Sequence, residues 1–104
     1  MLLSTQDQIV GQEIIETMGL VRGNTVRARH IGRDIVAAFR NVVGGEVMEY
    51  TKMMAESREQ ALDRLIDQAK ELGANAIVGI RFTSASVMAG AAEIVVYGTA
   101  VKLG

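Results

Sequence analysis

The sequence concentrates positive charge in one short segment, residues 22–40. Five arginines and one aspartate give this segment a net charge of +4, whereas the whole chain of 104 residues carries −1. Guanidinium groups bind carboxylates and phosphates through paired hydrogen bonds, so we predict that this segment recognises a small anion. The predicted anion ligands are Arg27, Arg29, Arg33 and Arg40. The alternative, which the residues leave open, is that these arginines pair with glutamates at contacts between subunits.

His30 and Asp34 form a pair with the spacing of metal ligands. They are four residues apart and share a face if a helix begins by His30. Two ligands do not complete a tetrahedral zinc site, but a symmetric ring repeats each ligand, so neighbouring chains could complete one. The alternative is that Asp34 stabilises the start of a helix and that His30 binds no metal.

Other kinds of chemistry find little support in the sequence. The chain has no cysteine and one histidine, which excludes disulfides, thiolate metal sites and thiol catalysis. It contains neither the glycine-rich loop that binds phosphates nor the G-x-S-x-G turn of serine hydrolases. Two Tyr, two Phe and no Trp leave few surfaces on which a flavin or a base could stack. We therefore predict that the protein is not an enzyme and holds no cofactor.

The composition indicates one folded domain, residues 1–104, that associates with itself. Hydrophobic residues make up 49% of the chain and the mean hydropathy is +0.22, which is more apolar material than so small a domain can bury alone. The near-zero net charge argues against nucleic acid as a partner. No leader pattern and no apolar run of about 20 residues is present, so we expect a cytoplasmic protein without membrane contact.

The alternation of apolar and polar residues predicts the strands that would position these residues. Alternating apolar residues predict three strands, over residues 14–22, 75–88 and 93–101. Gly23 and Asn24 indicate a turn or bulge, after which residues 25–30 either resume the first strand or leave the sheet. Residues 89–92 are predicted to be the turn between the last two strands.

Helical spacing predicts two helices between the first and second strands. The first covers residues 31–43 and ends at Gly44 and Gly45. The second, over residues 49–72, has an apolar stripe on one face and mixed charges on the other, and Gly73 ends it.

This order of elements predicts an α+β fold of two layers. A β-α-α-β-β chain with a right-handed crossover through the helices places the last strand between the first and the second, in an antiparallel sheet of order 1-3-2. The long amphipathic helix covers one face of the sheet. We expect Ile77, Val95, Tyr97 and Val101 to lie on the other face, which only a second copy of the chain could cover.

Four segments, taken in order and with their spacing, resemble one protein family. They are Ile31-Gly32-Arg33-Asp34-Ile35 leading to Val43-Gly44-Gly45, then Tyr50-Thr51-Lys52, then Leu72-Gly73-Ala74-Asn75-Ala76-Ile77-Val78-Gly79-Ile80, and finally Tyr97-Gly98-Thr99-Ala100-Val101. Over nearly its whole length the chain is similar to the YbjQ family of small bacterial and archaeal proteins. The resemblance implies a dodecin-like β-α-β-β subunit with strand order 1-3-2, a ring that is most often a pentamer, and a family label of heavy-metal binding. It brings no established activity.

These observations combine into one functional hypothesis with one alternative. The hypothesis is a non-enzymatic homo-oligomeric ring, a pentamer by the resemblance, that acts as a binding or scaffold module. The alternative is a protein that binds a metal ion or a small anion at sites formed between subunits. Because the chain lacks cysteine, a metal site would need other ligands, and His30 and Asp34 are the candidates.

Overall fold

The structure, a computed structural model, describes residues 1–28, 44–88 and 91–104. These residues form four strands and one helix: β1 (Leu2–Leu3), β2 (Ile14–Ala28), α1 (Gly44–Glu71), β3 (Ala76–Met88) and β4 (Ala91–Leu103). The strands make one sheet of order β1-β3-β4-β2, and α1 packs on one of its faces. The expected α+β class, with a long helix on one face of the sheet, is confirmed.

The expected antiparallel sheet of order 1-3-2 is wrong, because the sheet has a fourth strand and is mixed. β1 is only two residues long and pairs in parallel with the start of β3, Leu2 opposite Ala76 and Leu3 opposite Ile77. Two residues contain no alternation to detect, so periodicity could not predict this strand. The last strand, β4, does lie between β2 and β3 and is antiparallel to both.

β2 continues through the glycine at which the predicted strand stopped. Gly23 pairs with Val96 without a shift of register, so Ile14–Ala28 form one strand and the expected turn or bulge at Gly23 is wrong. Of the two alternatives for residues 25–30, the structure shows that the strand resumes, as far as Ala28. A Cβ on this glycine would overlap the carbonyl oxygen of Ala61 and lie 2.6 Å from the nitrogen of Leu65. Gly23 therefore permits a direct contact between helix and strand, which is the other common reason for glycine in a strand.

Shifts of register in β2 change which side chains share a face. Strict alternation along this strand would place Ile14 and Met18 on one face and Val21 on the other. The register shifts between Thr17 and Gly19, and as a result Met18 and Val21 both contact the core beneath α1. Ile14 contacts the cluster on the opposite face. Each bulge adds one residue and so reverses the alternation beyond it.

A further shift in β3 has the same effect. It lies between Val78 and Arg81, where Gly79 adopts a positive φ of 63°. Ile77 and Ile80 consequently both belong to the core beneath α1. The expectation that Ile77 lies on the uncovered face is therefore wrong, because it assumed unbroken alternation along the strand.

α1 begins earlier than the sequence predicted. Gly44 and Gly45 are its first residues, although they were expected to end a preceding helix, and the expected start was residue 49. Glycine is tolerated at the start of a helix as well as after its end, so the pair did not distinguish the two cases. The predicted helix over residues 31–43 lies outside the described residues.

The end of α1 agrees with the prediction that Gly73 stops the helix. The helix ends at Glu71, and Gly73 has a φ of 82°. Its N–H donates to the carbonyl of Lys70 at 3.0 Å, and the N–H of Ala74 donates to the carbonyl of Ala69 at 3.1 Å. This pair of bonds satisfies the last carbonyl groups of the helix, as a glycine in this conformation commonly does.

β4 is longer than predicted at both ends. Ala91 and Ala92 belong to the strand rather than to the predicted turn, while residues 89 and 90 lie outside the described part of the chain. At its other end β4 continues to Leu103, which is held by the side chain of Asn75. The Asn75 Nδ2 donates to the Leu103 carbonyl at 3.1 Å, and its Oδ1 accepts from the Leu103 N–H at 2.7 Å.

The larger of the two hydrophobic clusters lies between α1 and the sheet. Ala61, Leu65 and Ala69 of α1 are fully buried there against residues such as Val21 and Val96. The small alanines allow the helix to lie close to β2 and β4, which it contacts much more than β3.

Candidate functional site

The sheet face opposite α1, here called the open face, is covered by the chain itself at one end only. There, Ile9 and Ile14 pack against Val78, Val101 and Leu103. Val101 lies on this face as expected, but it is only 1% exposed, because residues of its own chain cover it. The expectation that a second copy must cover the whole face is therefore wrong for this end.

The segment that covers this end is fastened to the edge of β3. The N–H of Ser4 donates to the carbonyl of Ile77 at 2.9 Å, and the N–H of Gly79 donates to the carbonyl of Gln6 at 2.9 Å. These bonds extend the pairing that begins in β1 and bring residues 4–13 around the edge of the sheet.

The rest of the open face exposes large apolar side chains. Leu20 and Val26 on β2 are 69% and 59% exposed. On β4, Tyr97 is 41% exposed and Val95 is half-buried. Scattered apolar residues are normal on a surface, but here they lie on neighbouring strands of one sheet face. The structure thus confirms the predicted positions of Val95 and Tyr97.

A row of polar side chains crosses the open face between these apolar residues. Tyr97 of β4 lies directly opposite Arg22 on β2 and directly opposite Arg81 on β3. Directly opposed residues project from the same face of a sheet, so the three side chains form one row, here called the Arg–Tyr–Arg row. All three side chains are exposed.

The two arginines of this row differ in how they are held. Nη1 of Arg81 donates to the carbonyl of Thr5 at 2.7 Å and to its neighbour Ile80 at 2.8 Å. The guanidinium of Arg22 and the hydroxyl of Tyr97 make no hydrogen bond or ion pair with any residue the structure describes.

The outer edge of β2 is occupied by side chains of α1. The N–H of Arg22 donates to Oε1 of Gln68 at 2.6 Å, and Nη1 of Arg64 donates to the carbonyl of Asn24 at 2.6 Å. An edge strand normally presents such groups unpaired, so α1 closes the middle of this edge.

Most of the residues predicted from the sequence to form a site lie outside the described part of the chain. Arg27 is in β2, with its backbone opposite Ala92. The others, which no observation tests, are Arg29, His30, Arg33, Asp34 and Arg40. Their roles as anion or metal ligands therefore remain predictions.

The described residues do not fit a heavy-metal site within one chain. They contain no group of three or more His, Cys, Asp or Glu residues close enough to hold an ion. Met53 and Met54 are adjacent on a helix and therefore point to different sides of it, so they cannot both bind one ion. Met54 packs against the core. In the same ranges, no helix combines the length and the apolar character needed to cross a membrane.

The Arg–Tyr–Arg row was missed by the sequence analysis for a specific reason. Alternation along β3 places Arg81 on the same face as Ile77, the face that was expected to be uncovered, but it does not give the register between strands. That Arg22 and Arg81 both lie directly opposite Tyr97 follows only from that register. Arg22 was counted in the positive segment but placed at the end of its strand.

The fold and this surface define a small α+β protein with a partly uncovered sheet face. A sequence model of one family, with the description "Putative heavy-metal-binding", matches residues 1–104. The chain belongs to this family, the YbjQ family, as its sequence segments predicted.

Curated relatives agree with this assignment, and one solved structure shares the fold. The chain is 55% identical over 103 residues to a UPF0145 protein of Thermosipho melanesiensis, covering 99% of this chain and 95% of that one. It is 57% identical over 103 residues to a UPF0145 protein of Methanococcus vannielii, covering 99% and 98%. A crystal structure of a DUF74-family protein of unknown function from Pediococcus pentosaceus has a TM-score of 0.70 at 16% identity, covering 100% and 98%. At that identity the likeness concerns the fold alone.

Proposed function

We propose that the protein is a non-enzymatic homo-oligomeric module, a ring of dodecin-like subunits with five copies, that serves as a binding or scaffold protein. In this proposal the exposed part of the open face forms the contact between copies. The observation that carries it is the exposure of Leu20, Val26 and Tyr97 on one sheet face. The family resemblance supplies the ring and the number of copies.

The extent of the surface supports this proposal. One copy has an accessible surface of 6751 Å², whereas a compact monomer of this mass would have roughly 5,700 Å². Its radius of gyration is 17.1 Å, against roughly 13 Å for a compact domain of about 100 residues. A single copy is therefore extended and exposes surface that association can bury.

The chemistry of the open face also suits a permanent contact. Obligate interfaces are more apolar than ordinary surface and are enriched in aromatic residues and arginine. Leu20, Val26, Tyr97 and Arg22 are residues of these kinds on two adjacent strands. Burying the exposed part of a leucine side chain contributes on the order of 1 to 2 kcal/mol, so a few such residues from each copy make a substantial contribution.

Light scattering at micromolar concentration tests the proposal. The wild type should have the mass of a pentamer, and Leu20→Asp should dissociate it, because a carboxylate in a dry contact loses its hydration. Val10→Asp is the matched control, since Val10 is 92% exposed but lies outside the sheet. This variant should assemble normally. A monomeric wild type, or normal assembly of Leu20→Asp, would show that the open face is not the contact.

A second candidate function is binding of a metal ion or a small anion at sites formed between copies, and the family description supports the metal ion. The candidates from the sequence are His30 and Asp34 for a metal, and the arginines of residues 27–40 for an anion. This function is compatible with the first, because a ring brings copies of each residue together.

A further inference from the structure

We infer that the Arg–Tyr–Arg row of the open face binds a small ligand with two acidic oxyanion groups, such as a diphosphate or a dicarboxylate. The ligand would contact Arg22, Tyr97 and Arg81. This inference rests on the proposed function, since it names a ligand class for the binding module. It uses a site different from the arginines predicted from the sequence.

The sheet register is the first support. Arg22 and Arg81 are each directly opposite Tyr97, from the two strands that flank it. Neighbouring strands lie about 4.8 Å apart, so the two arginine backbones are about 10 Å apart with the phenol between them. The Arg22 side chain is long enough to reach toward the centre of the row, whereas the Arg81 guanidinium is held at the carbonyl of Thr5, beside the outer edge of β3, and would contact the ligand at that end. The spacing suits a ligand with an acidic group near each end better than a single monoanion.

The unused hydrogen-bond donors are the second support. Arg81 uses Nη1 for the carbonyls of Thr5 and Ile80, which fixes the guanidinium while its other N–H groups stay available. Arg22 offers a whole guanidinium, and Tyr97 offers a hydroxyl without a partner among the described residues. Donors held in place before binding lose less freedom when a ligand arrives.

The imbalance of charge is the third support. The nearest described carboxylate on the same face and strand as Tyr97 is that of Glu93, four residues along β4. At about 3.4 Å per residue this is about 14 Å away, which exceeds a screening length of about 8 Å at physiological salt. Asp7 lies near Gly79 but forms no ion pair with Arg81.

Association of copies would make this imbalance costly. If a second copy covers Leu20 and Val26, it also covers the row that lies between them on the sheet. Two guanidinium groups that lose water without gaining an anion destabilise the contact. A bound dianion would offset both charges and would therefore favour the assembled protein.

Isothermal titration calorimetry with pyrophosphate and with inorganic phosphate tests the inference on the full chain. We expect pyrophosphate to bind about tenfold more tightly than phosphate, because it can contact both arginines. Arg22→Ala should weaken pyrophosphate binding at least about tenfold, and Tyr97→Phe severalfold, since each removes a donor to a charged group.

Two control variants separate this site from general charge and from the other arginines. Arg58→Ala removes an exposed positive charge from α1, and Arg29→Ala with Arg33→Ala removes charge from the predicted anion segment. Both should bind pyrophosphate as the wild type does. If either weakens binding as much as Arg22→Ala, or if pyrophosphate does not bind at millimolar concentration, the inference is wrong.

Light scattering on the same samples distinguishes failure of the inference from failure of the proposed function. If the wild type is a monomer and Arg22→Ala still weakens pyrophosphate binding, the ligand site at the Arg–Tyr–Arg row is supported and the ring is contradicted. If the wild type assembles but the Arg22→Ala variant is dissociated when no anion has been added to either, the inference is wrong. In that case Arg22 pairs with a carboxylate of the neighbouring copy.

Discussion

The contact at Gly23 gives the sharpest quantitative prediction for the fold. Gly23→Ala adds one methyl group at a place where the backbone of α1 leaves no room. The added Cβ would overlap the Ala61 carbonyl oxygen and lie 2.6 Å from the Leu65 nitrogen. Neither atom belongs to a flexible side chain, so the whole helix must move away from β2 to accept the methyl group. The φ of Gly23 is not in the left-handed region, and the substitution therefore tests packing rather than backbone strain.

The expected cost follows from the kind of atoms in contact. Overpacking a core with an extra methyl group typically costs about 1 to 3 kcal/mol, and a clash with main chain belongs at or above the upper end. About 3 kcal/mol corresponds to a fall of about 12 °C or more in the melting temperature of a domain of this size. Thermal unfolding followed by circular dichroism measures this shift. Protein concentrations must be equal, because the melting temperature of any protein that associates depends on its concentration.

Asp67→Ala is the control for this prediction. Asp67 lies on α1, away from the open face, and its side chain is exposed. This variant should unfold within about 0.5 kcal/mol of the wild type, as exposed substitutions usually do. A melting temperature for Gly23→Ala equal to that of Asp67→Ala would refute the direct contact between α1 and β2.

Further substitutions test other contacts and the predicted metal site. Asn75→Ala removes both hydrogen bonds to Leu103 and should lower the unfolding free energy by about 1 to 3 kcal/mol, measured with urea; an unchanged value would mean that another contact holds the end of β4. The double variant Arg64→Ala, Gln68→Ala should expose the edge of β2 and so increase thioflavin-positive aggregation on mild heating. Equal aggregation of the variant and the wild type would contradict the role of these two side chains. His30→Ala should abolish any tight binding of zinc or copper seen by calorimetry for the wild type, whereas equal binding by both proteins would exclude His30 as a ligand.

Regular periodicity explains which parts of the fold could be predicted. The long amphipathic helix and the three long strands repeat their patterns over many residues, and all four are present in the structure. The errors lie where one residue changes the outcome. The shift of register at Gly79 moved Ile77 to the helix face, and β1 was too short to show a pattern. Gly23 has the same sequence appearance in a turn and in a close contact, and only the position of α1 distinguishes them.

The surface was harder to predict than the core because it depends on register between distant strands. That Tyr97 lies on the open face follows from alternation within β4. That Arg22 and Arg81 lie on either side of it depends on how three strands align, and on a bulge in one of them. No local pattern carries that information. The positive segment, by contrast, was visible in the sequence as charge alone, which does not specify where its side chains lie.

The closed edge of β2 limits how copies of this chain can associate. Unpaired N–H and C=O groups on an edge strand tend to add strands from other chains, and such head-to-tail contacts produce fibres when the rotation does not close. Along β2, the N–H of Arg22 is bonded to Gln68 and the carbonyl of Asn24 is bonded to Arg64, so these two backbone groups are not available to another strand. Side chains of the same strand, above all Leu20, remain exposed on the open face. If copies associate as proposed, the contact should therefore bury side chains of the open face and leave these two backbone groups bonded to α1, so that at these positions the edge of β2 does not add a strand from another copy.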